Sequence, residues 1–219
     1  MAAKRTDQKR ILVVDDHPVF RDGLARLIEQ EGDLSVCGTT DNASDAMRMV
    51  ETMKPDLVSV DISLTGKNGI ELLKTVKAMH PELKALVFSM HDEALYAERA
   101  LRAGALGYVM KGAPVEVVIG AIRRVLAGDI YLSESMSDSL LKISINGAPG
   151  LASPLRSLSD RQLEVLELFG RGNSSKVIAE KLKLSVKTVE VHRQNIKQKL
   201  GLGSALEFMR YAVRWVEQN

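Results

Sequence analysis

The hexapeptide Asp56-Leu57-Val58-Ser59-Val60-Asp61 decides the fold of this chain. Its apolar run predicts a buried β-strand, and Asp61 stands where that strand ends. Near the N-terminus a second apolar run, residues 11–14, ends in the acid pair Asp15-Asp16. Because the C-terminal ends of parallel strands in an α/β sheet meet at one crevice, these three carboxylates are expected to lie close together.

Two further strands are predicted to end in polar groups at the same edge. The run 85–88 is followed by Ser89, and the short segment 107–110 is followed by Lys111. Three carboxylates, a hydroxyl and a lysine at one crevice suit a divalent metal and a phosphoryl group. Each residue alone would be explained as a helix cap or a surface side chain, so the prediction depends on their order on successive strands.

The sequence between residues 10 and 128 alternates between strand and helix patterns. Apolar residues recur at helical spacing between the strands, for example at Phe20, Leu24, Leu27 and Ile28. Such alternation predicts a parallel sheet covered by helices on both faces. We therefore expect a five-stranded, parallel, doubly wound (flavodoxin-like) α/β domain over residues 9–128, with strands near 10–15, 34–39, 56–61, 84–89 and 107–110.

The remainder of the chain has no strand pattern. Serine, glycine and proline are frequent over residues 129–157, which predicts a linker with a short helix at 136–143. Residues 158–219 predict a small all-α domain of four helices. Serine N-caps are expected for these helices at Ser159, Ser174 or Ser175, Ser185 and Ser204.

The two halves of the chain differ in charge. The 219 residues are 45% hydrophobic and 26% charged with a net charge of +2, which fits one or two globular domains. Residues 150–219 carry 12 Lys and Arg against 7 Asp and Glu, a net charge of +5, and leave the rest at −3. A basic module joined to a mildly acidic one favours nucleic acid as the partner of the tail.

A cytoplasmic location is expected, with no membrane partner. The N-terminal residues lack the apolar run of a signal peptide, and no apolar run approaches the roughly 18 residues needed to span a bilayer. The single cysteine, Cys37, cannot form an internal disulfide, which favours a reducing compartment. Its apolar neighbours predict a small buried side chain.

The predicted crevice has the ligands of a magnesium site. Mg²⁺ prefers oxygen ligands in octahedral geometry, and Asp15, Asp16 and Asp61, with the backbone carbonyl of Ser63, would supply them. One of the carboxylates is a candidate nucleophile, since aspartyl phosphates are known covalent intermediates.

Lys111 is expected to pair with one phosphoryl oxygen and Ser89 to donate a hydrogen bond to another. Residues 9–128 also resemble the receiver domain of a two-component response regulator, through the segments 13–18, 60–61, 89–92 and 103–111 with Gly66 and Gly69. The resemblance implies that Asp61 accepts a phosphoryl group from a histidine kinase and that Asp15 and Asp16 bind Mg²⁺. It also implies that Ser89 and Tyr108 form a hydroxyl–aromatic switch in a protein that is not a turnover enzyme.

The loop after Asp61 departs from that family and suggests an alternative. The family usually has Met-Pro-Gly where this chain has Leu64-Thr65-Gly66, which predicts a looser loop and an altered phosphoryl lifetime. Residues 61–65 also partly resemble the Asp-x-Asp-x-Thr motif of haloacid-dehalogenase-type phosphatases. Those enzymes need a second Asp as general acid, where this chain has Ser63, and a phosphatase leaves Asp15-Asp16 unexplained.

Residues 158–202 have the pattern of a helix-turn-helix. Residues 177–184 predict a scaffold helix and turn, and a third helix is expected from the cap at Ser185 to Leu200. One polar face of that helix would fit the DNA major groove, N-terminal end foremost, and carries Lys187, Glu190, Val191, Gln194, Asn195 and Gln198. The alternative is an ordinary amphipathic helix with a solvated face.

The tail resembles the LuxR-type helix-turn-helix in segments that include Leu158–Arg161, Ile178-Ala179 and Lys187–Val189. With the receiver, the chain is similar to a NarL/FixJ-type response regulator over nearly its whole length. Candidate phosphate contacts are Lys176, Lys187, Thr188, Arg193, Lys197 and Lys199, and candidate base contacts are Glu190, Val191 and Gln194.

Three other tail features carry expectations. His192 is expected to pack inside rather than to act in catalysis, and Gln162, where the family often has Glu, is expected to weaken a local ion pair. The last helix is interpreted either as a surface that pairs tail domains or as core, through Phe208, Met209, Val213 and Trp215.

The predicted function is phosphorylation-controlled transcription. Phosphorylation at Asp61 is expected to draw Ser89 and Tyr108 inward and to favour a homodimer, so that two tethered tails bind paired half-sites on double-stranded DNA. RNA polymerase is a further candidate partner. A constitutive DNA-binding protein whose receiver only dimerises or docks is the alternative, and the dimer face, either the first and fifth helices or the fourth, is left open.

Overall fold

The computed structural model describes residues 8–64, 68–138 and 154–218. The chain divides into two compact units, Met1–Asp138 and Ser139–Asn219. The first unit alternates strands and helices in the order β1 (Lys9–Val14), α1 (Pro18–Glu29), β2 (Leu34–Thr40), α2 (Ala43–Met53), β3 (Leu57–Val60), α3 (Gly69–Met79), β4 (Lys84–Ser89), α4 (Glu93–Arg102), β5 (Gly107–Met110) and α5 (Val115–Ala127).

The five strands form one parallel sheet in the order β2-β1-β3-β4-β5. Residues 11–14 of β1 and 57–60 of β3 are buried throughout, because helices cover both faces of the sheet. This burial explains why the two strands appear in the sequence as largely apolar runs, with the buried Ser59 as the polar residue in β3. The predicted flavodoxin-like α/β fold is confirmed.

The core on one face of the sheet joins β1, β3, β4 and β5 to α1 and α5. Ile11, Phe88, Ile28 and Ile122 are fully buried members of this cluster. Pro18 stands at the first position of α1, where its missing N–H costs no hydrogen bond, as the sequence predicted.

The chain after α5 returns to the edge of the sheet. The Tyr131 N–H donates to the Leu106 carbonyl at 2.9 Å, and the Tyr108 N–H donates to the Tyr131 carbonyl at 3.0 Å. The first compact unit therefore takes in residues that the sequence assigned to a linker. Residues 134–138 are helical, and the rest of the predicted 136–143 helix lies outside the described residues.

The second unit is helical throughout its described part. A 3₁₀ turn, Pro154–Ser157, precedes α6 (Asp160–Gly170), α7 (Ser175–Leu182), α8 (Val186–Leu200) and α9 (Ala205–Gln218). The predicted caps are confirmed, since the hydroxyls of Ser159, Ser174, Ser185 and Ser204 each accept a backbone N–H from the first turn. Gln162 closes a capping box with Ser159, which stabilises the start of α6.

Candidate functional site

Lys111 lies between two buried carboxylates at the C-terminal edge of the sheet. Its ammonium is 2.8 Å from Asp61 Oδ2 and 2.8 Å from Asp15 Oδ2, and the side chain is 4% exposed. Asp15 and Asp61 are each 1% exposed. The three groups that the sequence placed at the ends of different strands therefore meet in space.

The sheet register brings these residues together. Val14 pairs with Val60, so the next residues, Asp15 and Asp61, leave neighbouring strands at the same level. The Asp61 N–H donates to the Val14 carbonyl at 2.9 Å, and the Lys111 N–H donates to the Ser89 carbonyl at 2.9 Å. Each functional side chain is thus fixed by backbone pairing just beyond a buried strand.

Electrostatics at this edge favours an additional cation. Burial raises the pKa of the Asp15 carboxyl, with a further upward contribution from the charge on Asp61, while the hydrogen bond from Lys111 opposes both. With Asp16, three carboxylates face one ammonium. Hard oxygen donors with an excess of negative charge fit Mg²⁺, which takes carboxylates and keeps several waters.

His17 belongs to the same cluster, although the sequence did not predict it there. Its Nδ1 is 3.0 Å from Asp16 Oδ1 and 3.4 Å from Asp61 Oδ2. One ligand atom from each of Asp15, Asp16, His17 and Asp61 lies within 4.8 Å of the others. The residue follows the acid pair directly, so its position in the sequence was the signal that could have found it.

Ser89 and Tyr108 lie next to the carboxylates in a shared hydrogen-bond network. The Tyr108 ring is buried, so it already points inward, as the predicted switch would require after phosphorylation. Its hydroxyl donates to the His91 carbonyl at 2.8 Å. The Ser89 hydroxyl accepts the His91 N–H at 3.1 Å. Burial raises the pKa of the Tyr108 phenol far above its usual range, so the hydroxyl stays a donor.

His91 also connects this network to the loop that follows Asp61. Its Nε2 is 2.7 Å from the Ser63 hydroxyl, and its ring stacks on Tyr96 at 4.6 Å between centroids. Periodicity gives no sign of such a contact between two loops. Thr65 and Gly66, which the sequence argument singled out, lie outside the described residues.

Gly69 holds the far end of the Asp61 loop close to β3. Its N–H donates to the Ile62 carbonyl at 2.9 Å. A Cβ at this position would lie 2.8 Å from Ile62 Cα and 2.9 Å from the Asp61 carbonyl carbon. Only glycine allows this approach, which explains why a glycine stands at the start of α3.

The exposed face of α8 is largely the one that the sequence predicted. Val189 and Ile196 are buried, and Val191 is 50% exposed. Lys187, Gln194 and Lys176 are also exposed, whereas Lys197 is half-buried. The Thr188 hydroxyl pairs with that of Ser185 at 2.8 Å, where it supports the N-terminal cap.

Three predicted DNA contacts are engaged inside the tail unit. Glu190 accepts from the Ser175 hydroxyl at 2.5 Å and pairs with Arg193 at 2.6 Å. The Lys199 ammonium donates to the Ser157 carbonyl and to Gln162 Oε1, both at 2.8 Å. Both Arg193 and Lys199 keep N–H donors that these contacts do not use.

The last helix is divided between core and surface. Phe208 is fully buried and packs edge-on against Phe169 at 5.2 Å, and Trp215 is buried as well. Leu206 and Val213 are exposed. The core interpretation is therefore confirmed for Phe208 and Trp215, and pairing of tails through the exposed residues stays a prediction.

His192 is half-buried, as expected for a residue that packs inside. Burial, with the Arg161 charge nearby, lowers the pKa of its imidazole. Among the described residues, its buried Nδ1 has no hydrogen-bond partner. The protonated, cationic form of the His192 imidazole is therefore disfavoured.

Comparison with known families agrees with both parts of this architecture. Residues 11–123 match the response regulator receiver domain, and residues 156–212 match the LuxR family of bacterial regulatory proteins. The chain belongs to the two-component response regulators that join a receiver domain to a LuxR-type DNA-binding domain. The prediction that it is a regulator rather than a turnover enzyme is confirmed by that membership.

Individual relatives resemble the chain over almost its full length. It is 37% identical to the oxygen regulatory protein NreC of Staphylococcus carnosus, over 94% of this chain and 97% of that one. A solved structure of RcsB from Salmonella enterica serovar Typhimurium, bound to the rprA promoter with the phosphomimetic BeF₃⁻, is similar as well. The match is 26% identical with a TM-score of 0.67, over 94% of this chain and 98% of the RcsB chain. A structure of two RcsB dimers on two parallel DNAs is 27% identical with a TM-score of 0.57, over 93% of this chain and 97% of that one.

None of the helices in the described ranges combines the length and the hydrophobicity that a bilayer span requires.

Proposed function

We propose that Asp61 accepts a phosphoryl group from a sensor histidine kinase. A carboxylate oxygen of Asp61 forms the bond to phosphorus as the bond to the kinase's histidine nitrogen breaks, and that nitrogen keeps the electron pair. The observation that carries the proposal is Lys111 held 2.8 Å from Asp61, since its ammonium is ready to pair with a phosphoryl oxygen. The Ser89 hydroxyl is proposed to donate a hydrogen bond to a second phosphoryl oxygen.

Mg²⁺ is proposed as the cofactor, held by Asp15, Asp16 and Asp61 with the backbone carbonyl of Ser63. When bound, the ion would offset negative charge on the phosphoryl oxygens. The clustering of these carboxylates supports the assignment, and so does their excess of charge over Lys111. His17 borders the same cluster and is proposed to orient Asp16.

The output is proposed to be control of DNA binding through assembly. Tyr108 and Ser89 both bind the His91 backbone, so a phosphoryl group that engages Ser89 would change the loop leading into α4. We propose that this change favours a homodimer whose tails occupy paired half-sites on double-stranded DNA. The RcsB dimers bound to DNA support this arrangement, and the exposed Leu206 and Val213 of α9 offer an apolar surface between tails.

The DNA contacts are proposed to divide into two classes. Val191, Gln194 and Glu190 are assigned to base edges in the major groove. Phosphate positioning is assigned to Lys176, Lys187, Thr188 and Lys197, with Arg193 and Lys199 through N–H donors that their protein contacts do not use. RNA polymerase remains a predicted further partner.

Intact mass and solution size, with and without Mg²⁺ and acetyl phosphate, test the proposal. The wild type is expected to gain one phosphoryl group and to shift towards dimer, whereas Asp61→Asn gains none. Wild-type protein that gains no phosphoryl group would point to constitutive DNA binding. An adduct on Asp61→Asn would place the acceptor at another residue.

A further inference from the structure

A small polar network joins the two helices of the helix-turn-helix at its exposed edge. The Ser175 hydroxyl, in the first turn of α7, donates to Glu190 Oε1 at 2.5 Å. Glu190 Oε2 is 2.6 Å from the Arg193 guanidinium, one turn further along α8. Both oxygens of one carboxylate are therefore held by different partners, which fixes the side chain in a single rotamer.

The held carboxylate lies beside the proposed DNA-facing residues. Glu190 follows Lys187 by three positions and precedes Gln194 by four, so all three share one side of the helix. Its side chain is 37% exposed, which leaves part of the carboxylate open to a ligand. Each oxygen has a second lone pair, so either can accept a hydrogen bond beyond the one it has.

The location of Arg193 explains how the negative charge is tolerated on a basic surface. Its guanidinium lies 5.9 Å from the Phe169 ring centroid of α6, so it approaches Glu190 from the protein side. The ion pair offsets the repulsion that an isolated carboxylate would feel from DNA phosphates. Arg193 then serves to position Glu190 in this network.

We infer that Glu190, held in place by Ser175 and Arg193, selects cytosine at one position of each DNA half-site, and that Ser175 is a positioning residue for this contact. A carboxylate only accepts hydrogen bonds, and cytosine presents its N4 amino donor in the major groove. Adenine presents a donor beside the N7 acceptor, which repels a carboxylate. This inference rests on the proposed DNA-binding face of α8.

The test is a selection of double-stranded DNA randomised over about 20 base pairs, two helical turns, with full-length protein phosphorylated by acetyl phosphate and Mg²⁺. Wild-type protein is expected to favour cytosine over other bases at one position by about tenfold. Glu190→Ala is expected to lose that preference alone. Glu190→Gln, which both donates and accepts, is expected to change it to adenine.

Variants of the neighbouring residues Ser174 and Ser175 distinguish the positioning of Glu190 from the stability of α7. Ser175→Ala is expected to keep cytosine as the favoured base but to reduce discrimination several-fold, with an unchanged salt dependence of binding. Ser175→Thr keeps the hydroxyl and is expected to restore discrimination. Ser174→Ala removes the N-cap of α7 and lowers thermal stability, yet is expected to leave the base preference unchanged.

Several results would overturn the inference. Glu190 variants with wild-type preferences at every position would show that Glu190 contacts no base. Full discrimination in Ser175→Ala, or an equal loss in Ser174→Ala, would remove the positioning role of Ser175. If the wild type itself enriches no sequence, the proposed DNA-facing surface fails instead, which is a distinguishable outcome.

Discussion

The close approach of Gly69 to the main chain of Asp61 leads to a specific prediction. In Gly69→Ala the new Cβ would lie 2.8 Å from Ile62 Cα and 2.9 Å from the Asp61 carbonyl carbon. Carbon atoms in contact prefer about 3.5–4.0 Å, and the new Cβ would lie closer still to the Asp61 carbonyl oxygen, so the backbone on one side must shift by at least about 1 Å. Both partners are main chain, and neither can rotate away as a flexible side chain would.

Two consequences follow from that shift. Forcing an extra carbon into a packed site costs about 1–3 kcal/mol of the free energy of unfolding. Displacement of a reacting group by about 1 Å can reduce a rate about 100-fold, so Gly69→Ala is expected to accept a phosphoryl group from acetyl phosphate far more slowly. Mass spectrometry over time gives the rate, and urea unfolding followed by circular dichroism gives the stability.

Gly120 provides the matched control within the same unit. It lies in α5, and a Cβ there would meet no heavy atom within 4 Å. Gly120→Ala is expected to stabilise the protein by about 0.5–1 kcal/mol, because alanine loses less backbone entropy in a helix, and to leave the phosphorylation rate unchanged. Wild-type stability and rate in Gly69→Ala would refute the argument from close approach.

Three other predictions use different parts of the molecule. Lys111→Met leaves the buried Asp61 without its cation, so the urea midpoint of unfolding is expected to fall. Added Mg²⁺ is expected to raise the midpoint of this variant more than that of the wild type, and equal increases would contradict the prediction. Because the pKa of His192 is lowered in the folded state, the tail is expected to have its full stability above about pH 6.5 and to lose stability as the pH falls below that value. The decline, followed by the fluorescence of Trp215, is expected to be weaker in His192→Asn. Gly170→Ala places a Cβ 2.8 Å from the carbonyl carbon of Ala212 in α9, so the free energy of unfolding is expected to fall by about 1–3 kcal/mol in the same fluorescence assay. An unchanged midpoint would show that α9 moves away freely.

Long-range contacts account for what the sequence argument missed. Glu190 was predicted to contact a base from the polar face of its helix and the LuxR-type resemblance, but neither indicates its hydroxyl partner Ser175, 15 residues earlier on another helix. Lys199 looked like a free surface cation, although it bonds Ser157 and Gln162 across the tail unit. Helical periodicity gives the face of a helix but not the identity of what packs at its edge.

The sequence by itself determined the sheet, the crevice and the tail helices. Short apolar runs that end in Asp15, Asp61 and Lys111 are a local pattern, and parallel pairing obliges those ends to meet. Serine caps such as Ser159 are local too, because a cap bonds N–H groups only a few residues away. Each of these features depends on neighbours along the chain.

Only the tertiary structure decided which side chains complete the two sites. His91 reaches Ser63 from a different loop, and Gly69 touches the main chain of Asp61 because the fold turns the loop back on its strand. Ser175 meets Glu190 because two helices pack side by side. These contacts arise from close packing between segments distant in sequence, for which neither periodicity nor composition carries a signal.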